Sequence, residues 1–136
     1  MTTPYKQTDI LLVDANIEEA TVLEQSLEAL NTNYIVDVVT GKDEAIQYLT
    51  SGEKSKPNIV IIDSDDPKKL GLDIIEAIRT SSSLKQIKIL MVTPEYNESD
   101  IISCSQLDTD YLVKPDDESK FLNYLNHRIT TFRRQI

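Results

Sequence analysis

Four residues with reactive or charged side chains each follow a short apolar run: Asp14, Asp63, Thr93 and Lys114. Two carboxylates, a hydroxyl and an ammonium group that meet at one place can hold a divalent cation and a phosphoryl group between them. In that chemistry Asp63 is the nucleophile towards phosphorus, Mg²⁺ shields the approach of two anions, and Thr93 and Lys114 hold phosphoryl oxygens. A single Asp at a strand end is more often a helix cap or a turn residue. The interpretation therefore depends on whether the fold brings all four together.

The elements that would position these residues follow from the spacing of the apolar side chains. Runs rich in Ile and Val alternate with segments of helical periodicity, which is typical of βαβ units around a parallel sheet. The predicted strands are Ile10–Val13, Tyr34–Val39, Ile59–Ile62, Ile87–Val92 and Tyr111–Val113. The third and fourth are the most continuously apolar, so we expect them to be central and buried.

Five helices are predicted between and after the strands. They cover about Ile17–Leu30, Gly41–Leu49, Gly71–Thr80, Glu98–Leu107 and a C-terminal segment with an apolar stripe at Leu122, Leu125, Ile129 and Phe132. Asn16 is placed to cap the first helix. The fourth helix has a short, irregular apolar stripe, so we expect it to be the most weakly held. Strict alternation predicts a doubly wound, flavodoxin-like α/β fold with a five-stranded parallel sheet of order 2-1-3-4-5.

Composition is that of one globular domain, predicted to span 1–136 with a core from about 9 to 132. The chain is 40% hydrophobic and 27% charged, and its net charge of -9 opposes binding to a phosphate backbone. The single cysteine, Cys104, excludes an intrachain disulfide and CxxC chemistry. Since no apolar run approaches the length of a membrane span and the N-terminus lacks a signal-peptide core, we expect a cytoplasmic protein.

Four stretches of sequence resemble the receiver family of response regulators, and the resemblance runs from about Asp9 to about Phe132. The stretches are ILLVDAN, PNIVIIDSDDPKKLGLDII, ILMVT and YLVKP. The second stretch resembles the phosphoacceptor segment, with Asp63, Pro67 and Gly71 at the expected spacings. The third supplies the switch hydroxyl of Thr93.

The resemblance implies a signalling domain rather than an enzyme, with Asp63 phosphorylated by a histidine kinase or a histidine phosphotransfer protein. Asp14, Asp63 and the backbone carbonyl of Asp65 would bind Mg²⁺. Thr93 would then move towards the phosphate, with a change at Tyr111, and a downstream effector protein would read the change. Pro115 is similar to the family's cis-proline, which would turn Lys114 inward.

One position departs from the family pattern. Receivers usually have two adjacent acids after the first strand, but Asp14 is followed by Ala15. Mg²⁺ readily keeps several waters, so the loss of one carboxylate is expected to weaken the site rather than abolish it. The side chain of Asp65 could add charge near the ion or face water.

Two other functions stay open on the sequence. The first is a pseudo-receiver, a protein-interaction module that no longer cycles phosphate, and Ala15 is its support. The second is a haloacid dehalogenase-like phosphatase, because IVIIDSDDP also fits a strand followed by a DxD nucleophile motif, with Asp65 as general acid. That family needs a further acidic pair and usually a cap domain, which weakens the second alternative.

Overall fold

The computed structural model describes residues 7–66 and 70–136, so Pro67, Lys68 and Lys69 of the phosphoacceptor stretch lie outside the described residues. The strands are β1 (Thr8–Asp14), β2 (Tyr34–Val39), β3 (Ile59–Asp63), β4 (Lys88–Thr93) and β5 (Asp110–Val113). The helices are α1 (Ile17–Leu30), α2 (Lys42–Thr50), α3 (Leu72–Thr80), α4 (Glu98–Gln106) and α5 (Glu118–Arg133). Every predicted element is present, with ends that differ from the predictions by a few residues at most.

The five strands form one parallel sheet in the order β2-β1-β3-β4-β5, as predicted. Its central strand, β3, is buried along its whole length. The register aligns Asp14 with Asp63 on neighbouring strands, and Thr93 with Val113 one residue before Lys114. The sheet therefore brings the ends of four strands to one edge.

Helices cover both faces of the sheet because alternate side chains of each strand point to opposite sides. On one face Ile10 and Leu12 of β1 pack in a cluster with residues of α1 and α5. On the other face Leu11 and Val13 pack in a cluster with residues of α2, α3 and α4. This two-sided burial explains why the inner strands read as continuous apolar runs rather than alternating ones.

The helix ends match their sequence signals. Asn16 accepts a hydrogen bond from the backbone N–H of Glu19 at 3.1 Å, which confirms the predicted cap of α1. In α4 the buried residues are Asp100 and Cys104, so this helix packs few apolar side chains, in line with its irregular stripe. Gly71 stands where α3 approaches β4, and an added Cβ would overlap the methyl group of Met91. None of the described helices is long and apolar enough to cross a membrane.

At the opposite end of the strands from the predicted site, one side chain is hydrogen-bonded to several elements. Arg79, at the end of α3, donates to the carbonyl oxygens of Leu107 and Asp108 at 2.8 and 2.9 Å. It also donates to the carbonyl oxygens of Lys85 and Ile87, each at 2.7 Å. The guanidinium thereby fixes the end of α3, the turn before β4 and the α4–β5 loop to one another.

Candidate functional site

Two buried carboxylates form the centre of the candidate site. Asp14 and Asp63 end β1 and β3 side by side and are 5% and 6% exposed. Asp14 Oδ1 accepts a hydrogen bond from the backbone N–H of Asn16 at 2.9 Å. Within the described part of the chain, Asp14 Oδ2 is buried with no hydrogen-bond partner. A buried carboxylate oxygen without a donor is a site that a cation would satisfy.

Burial also shifts the protonation of both groups. The pKa of Asp14 is raised to about 6: loss of solvent is the largest cause, the hydrogen bond from Asn16 and the charge of Lys114 oppose it, and the negative charges of Asp63 and Glu19 add to it. Loss of solvent likewise raises the pKa of Asp63, although Lys114 opposes that shift. The nearby hydrogen-bond donor and positive charge therefore do not fully compensate for the burial of these two carboxylates in their ionised form.

Lys114 reaches the same place from the end of β5. Its Nζ lies 2.9 Å from Asp63 Oδ2 and 2.7 Å from Glu19 Oε1. The ammonium group also lies 5.0 Å from the centre of the Phe121 ring, a cation–π contact that helps to hold the side chain. Burial by itself lowers the pKa of Lys114, but its hydrogen bonds to Glu19 and Asp63 outweigh that effect and raise it.

The prediction of a cis peptide bond before Pro115 is wrong. Among the described residues no peptide bond is cis, so the Lys114–Pro115 bond is trans. The lysine nevertheless points inward, because its backbone N–H donates to the carbonyl of Thr93 at 2.7 Å and its ammonium group pairs with Asp63. The trans form is also the intrinsically preferred one for an X–Pro bond.

A hydrogen bond links Thr93 and Tyr111, the two residues of the predicted switch pair, directly. Thr93 is 2% exposed, and its hydroxyl donates to the Tyr111 hydroxyl at 2.7 Å. The Tyr111 hydroxyl in turn donates to the carbonyl of Glu95 at 3.1 Å, and Thr93 Oγ1 lies 3.0 Å from that carbonyl. In this arrangement Thr93 is engaged with β5 and the β4–α4 loop, and any movement towards Asp63 must break its contact with Tyr111.

The sequence analysis missed Glu19. One carboxylate oxygen each from Asp14, Glu19 and Asp63 lies within 4.8 Å of the others, and together these residues form a possible metal site. They line a cavity of about 240 Å³ that Ala15 and Asp65 also border. Three convergent carboxylates and an unpartnered buried oxygen fit a hard divalent cation. Asp65 is exposed, and the expected contribution of its backbone carbonyl stays a prediction.

The sequence does contain a signal at Glu19, but that signal predicts a role in capping α1 and not a place in the site. Asn16 followed three residues later by Glu19 is the spacing of a capping box, which predicts that the Glu side chain turns back to the N-cap N–H. Here Asp14 accepts the hydrogen bond from the backbone N–H of Asn16 instead, and the Glu19 carboxylate accepts a hydrogen bond from Lys114. The long-range contact, between residues 19 and 114, has no signature in local spacing.

A larger groove of about 620 Å³ opens beside the carboxylates, between α1 and the start of α5. Asp63 and Lys114 lie at one end of it, and Val22, Leu23 and Phe121 provide apolar walls. Val22 is 61% exposed, so its side chain is accessible from solvent. The groove gives the candidate site an open apolar approach.

Fold and site together define the class of protein. The profile of the family described as Response regulator receiver domain matches residues 10–126, and the chain belongs to this family. Among curated relatives, the response regulator Rcp1 of Synechocystis sp. is 26% identical over 110 residues, covering 77% of this chain and 75% of Rcp1. The chemotaxis protein CheY1 of Helicobacter pylori is 27% identical over 107 residues, covering 78% of this chain and 84% of CheY1.

The solved structures support the same fold. The phosphorylated cyanobacterial phytochrome response regulator RcpA superposes with a TM-score of 0.82 and 22% identity, covering 96% of each chain. The Mn²⁺-bound form of Rcp1 superposes with a TM-score of 0.74 and 24% identity, covering 86% of this chain and 88% of that one. The predicted family and fold are thus confirmed. The relatives are signalling proteins by name, which favours a receiver over the phosphatase alternative.

Proposed function

We propose that this chain is a receiver, with one domain over 1–136, that acts in two-component phosphorelay signalling. It accepts a phosphoryl group on Asp63 from a histidine kinase or a histidine phosphotransfer protein and passes the signal to a partner protein. The observation that carries this proposal is the position of Asp63, buried at the end of β3 between the ammonium group of Lys114 at 2.9 Å and the carboxylate of Asp14.

The transfer requires only one exchange of bonds. An oxygen of Asp63 attacks phosphorus, the bond from phosphorus to the imidazole nitrogen of a phosphohistidine breaks, and that nitrogen keeps the electron pair and takes up a proton. The product is an acyl phosphate on Asp63. The carboxylates of Asp14, Glu19 and Asp63 would hold a divalent cation, which would neutralise charge on the incoming phosphoryl oxygens.

The other site residues have tasks that match their positions. Lys114 donates to a phosphoryl oxygen, for which its pairing with Asp63 already aims it. Thr93 donates to another phosphoryl oxygen after leaving Tyr111, and this exchange transmits the change to β5 and the β4–α4 loop. The apolar groove beside α1 gives a donor protein a surface on which to present its phosphohistidine.

Intact-mass spectrometry after incubation with acetyl phosphate and Mg²⁺ tests the proposal. The wild-type chain is expected to gain one phosphoryl equivalent, and Asp63→Asn to gain none. Omission of Mg²⁺ or addition of EDTA should prevent the gain in the wild type. Folded wild-type protein that gains no mass at saturating Mg²⁺ would rule out the phosphoacceptor function and favour the pseudo-receiver, whose support is Ala15.

A further inference from the structure

The cavity at the candidate site lacks an acid where the family pattern expects one. Ala15 borders the cavity and contributes only a methyl group. Glu19 lies one helical turn further along the chain, in the first turn of α1, and borders the same cavity. Its carboxylate lies within 4.8 Å of the carboxylates of Asp14 and Asp63.

We infer that Glu19 supplies the metal-binding carboxylate that position 15 lacks, and that it does so while holding Lys114 beside Asp63. This inference rests on the proposed function, since it concerns the cation used in phosphoryl transfer. It assigns the site a ligand from a helix instead of from the turn after β1.

The two oxygens of Glu19 can serve both purposes. Oε1 accepts a hydrogen bond from Lys114 Nζ at 2.7 Å. Among the described residues, Oε2 has no hydrogen-bond partner in the structure, so it is open to a cation. An ionised carboxylate has about four lone-pair positions, which allows one donor and one metal bond at the same time.

Local structure keeps Glu19 available for this role. The Asn16 side chain accepts the backbone N–H of Glu19, which fixes the residue in the first turn of α1. The backbone N–H of Asn16, which a capping-box glutamate would bind, is already bonded to Asp14 Oδ1 at 2.9 Å. The side chain is thereby released from its usual local partner and turns towards the site.

The charges at the site select the class of ligand. Counted over the residues that the structure describes, the three carboxylates exceed the ammonium of Lys114 by two negative charges, which a divalent cation would neutralise. Carboxylate oxygens favour hard cations such as Mg²⁺ and Mn²⁺ over softer metals. Oxygen ligands also leave room for the waters that Mg²⁺ retains.

Calorimetric titration of the full chain with Mg²⁺, and separately with Mn²⁺, tests the inference. Glu19→Gln keeps the size of the side chain and should weaken binding about tenfold or more. Glu18→Gln, the matched control, removes the same charge from the neighbouring exposed residue and should change the affinity less than about twofold. Circular dichroism confirms that each variant is folded.

A rescue experiment separates a ligand from a general source of charge. Ala15→Asp in the Glu19→Gln background should restore most of the lost affinity, because a carboxylate returns to the same cavity. Wild-type protein that binds Mg²⁺ with an affinity unchanged in Glu19→Gln would overturn the inference and leave the proposed function intact. Wild-type protein that binds neither cation would overturn the metal-dependent function itself, and the inference with it.

Discussion

At the scale of single residues, the site is a balance of charges in which no group can be understood alone. Asp14 and Asp63 are buried beside each other, and among residues 7–66 and 70–136 only Lys114 brings a positive charge into contact with Asp63. Burial of like charges without full compensation costs stability. In the proposed function a bound cation would offset this cost.

This balance predicts a pH dependence for the metal-free protein. The pKa of Asp14 is about 6 in the folded chain and 3.8 for an ordinary Asp. The folded state thus binds more protons than the unfolded state between these values, and the free energy of unfolding falls as pH rises through about 6. In EDTA, Asp14→Asn should raise the free energy of unfolding at pH 7.5 by about 1–3 kcal/mol, with a smaller gain near pH 4.

Urea denaturation at the two pH values measures the effect. Glu53→Gln, in an exposed loop, removes the same charge and is expected to change the free energy of unfolding by less than about 0.5 kcal/mol. An equal gain from Asp14→Asn at both pH values would mean that the ionised carboxylate of Asp14 is not the destabilising group.

At the scale of elements, the helices differ in how firmly they are held. In α3, Ile74, Ile75 and Ile78 are buried and Arg79 is bonded to four carbonyls, whereas in α4 Cys104 is the buried apolar side chain. Elements with few packing contacts open and shift at low cost in free energy. We therefore expect conformational change to concentrate in α4.

Replacement of Arg79 tests how much its hydrogen bonds to four backbone carbonyls stabilise the protein. Arg79→Lys keeps the charge but loses the forked donors that reach Leu107 and Ile87 together. The variant should lose about 2–4 kcal/mol of unfolding free energy, since hydrogen bonds from charged groups contribute about 1.5–3 kcal/mol each before compensation. Arg134→Lys, at the exposed C-terminal end of α5, is the control and should lose less than about 0.5 kcal/mol. Equal losses of unfolding free energy in the two variants would show that the hydrogen bonds of Arg79 do not stabilise the protein.

The switch pair predicts how a phosphate signal travels through the elements. When beryllofluoride occupies Asp63, backbone NMR signals from 94 to 107 and around Tyr111 should move, because Thr93 must release the Tyr111 hydroxyl. Signals of α1 and β2 should stay nearly still. Thr93→Ala should permit binding of the mimic but reduce the movement, whereas Lys114→Ala should impair both. A response confined to the loops that touch Asp63 would instead indicate a relay intermediate without an α4 output surface.

At the scale of the whole molecule, the rate at which the Cys104 thiol is labelled measures how readily the folded protein opens. Cys104 is a buried residue of α4, and burial raises the pKa of its thiol to about 11. Both effects make the thiolate scarce in the native protein. Labelling by a disulfide reagent at pH 8 should therefore require opening of α4 and be slow in the native chain.

The labelling rate then distinguishes local from global opening. Ser99 is exposed on α4, so Ser99→Cys in a Cys104→Ala background provides a matched accessible thiol that should react at once. We expect Cys104 to react faster than global unfolding allows, because α4 is the weakly packed helix. A rate for Cys104 equal to the rate of global unfolding would contradict the local mobility of α4.

The fold was largely predictable because its signals are local. Short apolar runs predicted the strands and a period of 3.6 residues predicted the helices, and five alternating strands and helices restrict the sheet to few orders. The positions of Asp63, Thr93 and Lys114 at strand ends followed from that topology. What the sequence determined by itself was therefore the set of elements, the sheet and the edge at which the reactive residues meet.

Tertiary structure decided the details of the site. The contact of Glu19 with Lys114 joins residues that are far apart in the chain, and the place of the Phe121 ring beside that ammonium group depends on how the side chains pack. Such contacts depend on side-chain direction and on competition between partners, as when Asp14 takes the N–H that would have held Glu19. Spacing along the chain carries no record of that competition, because its outcome is set by distances that exist only after folding.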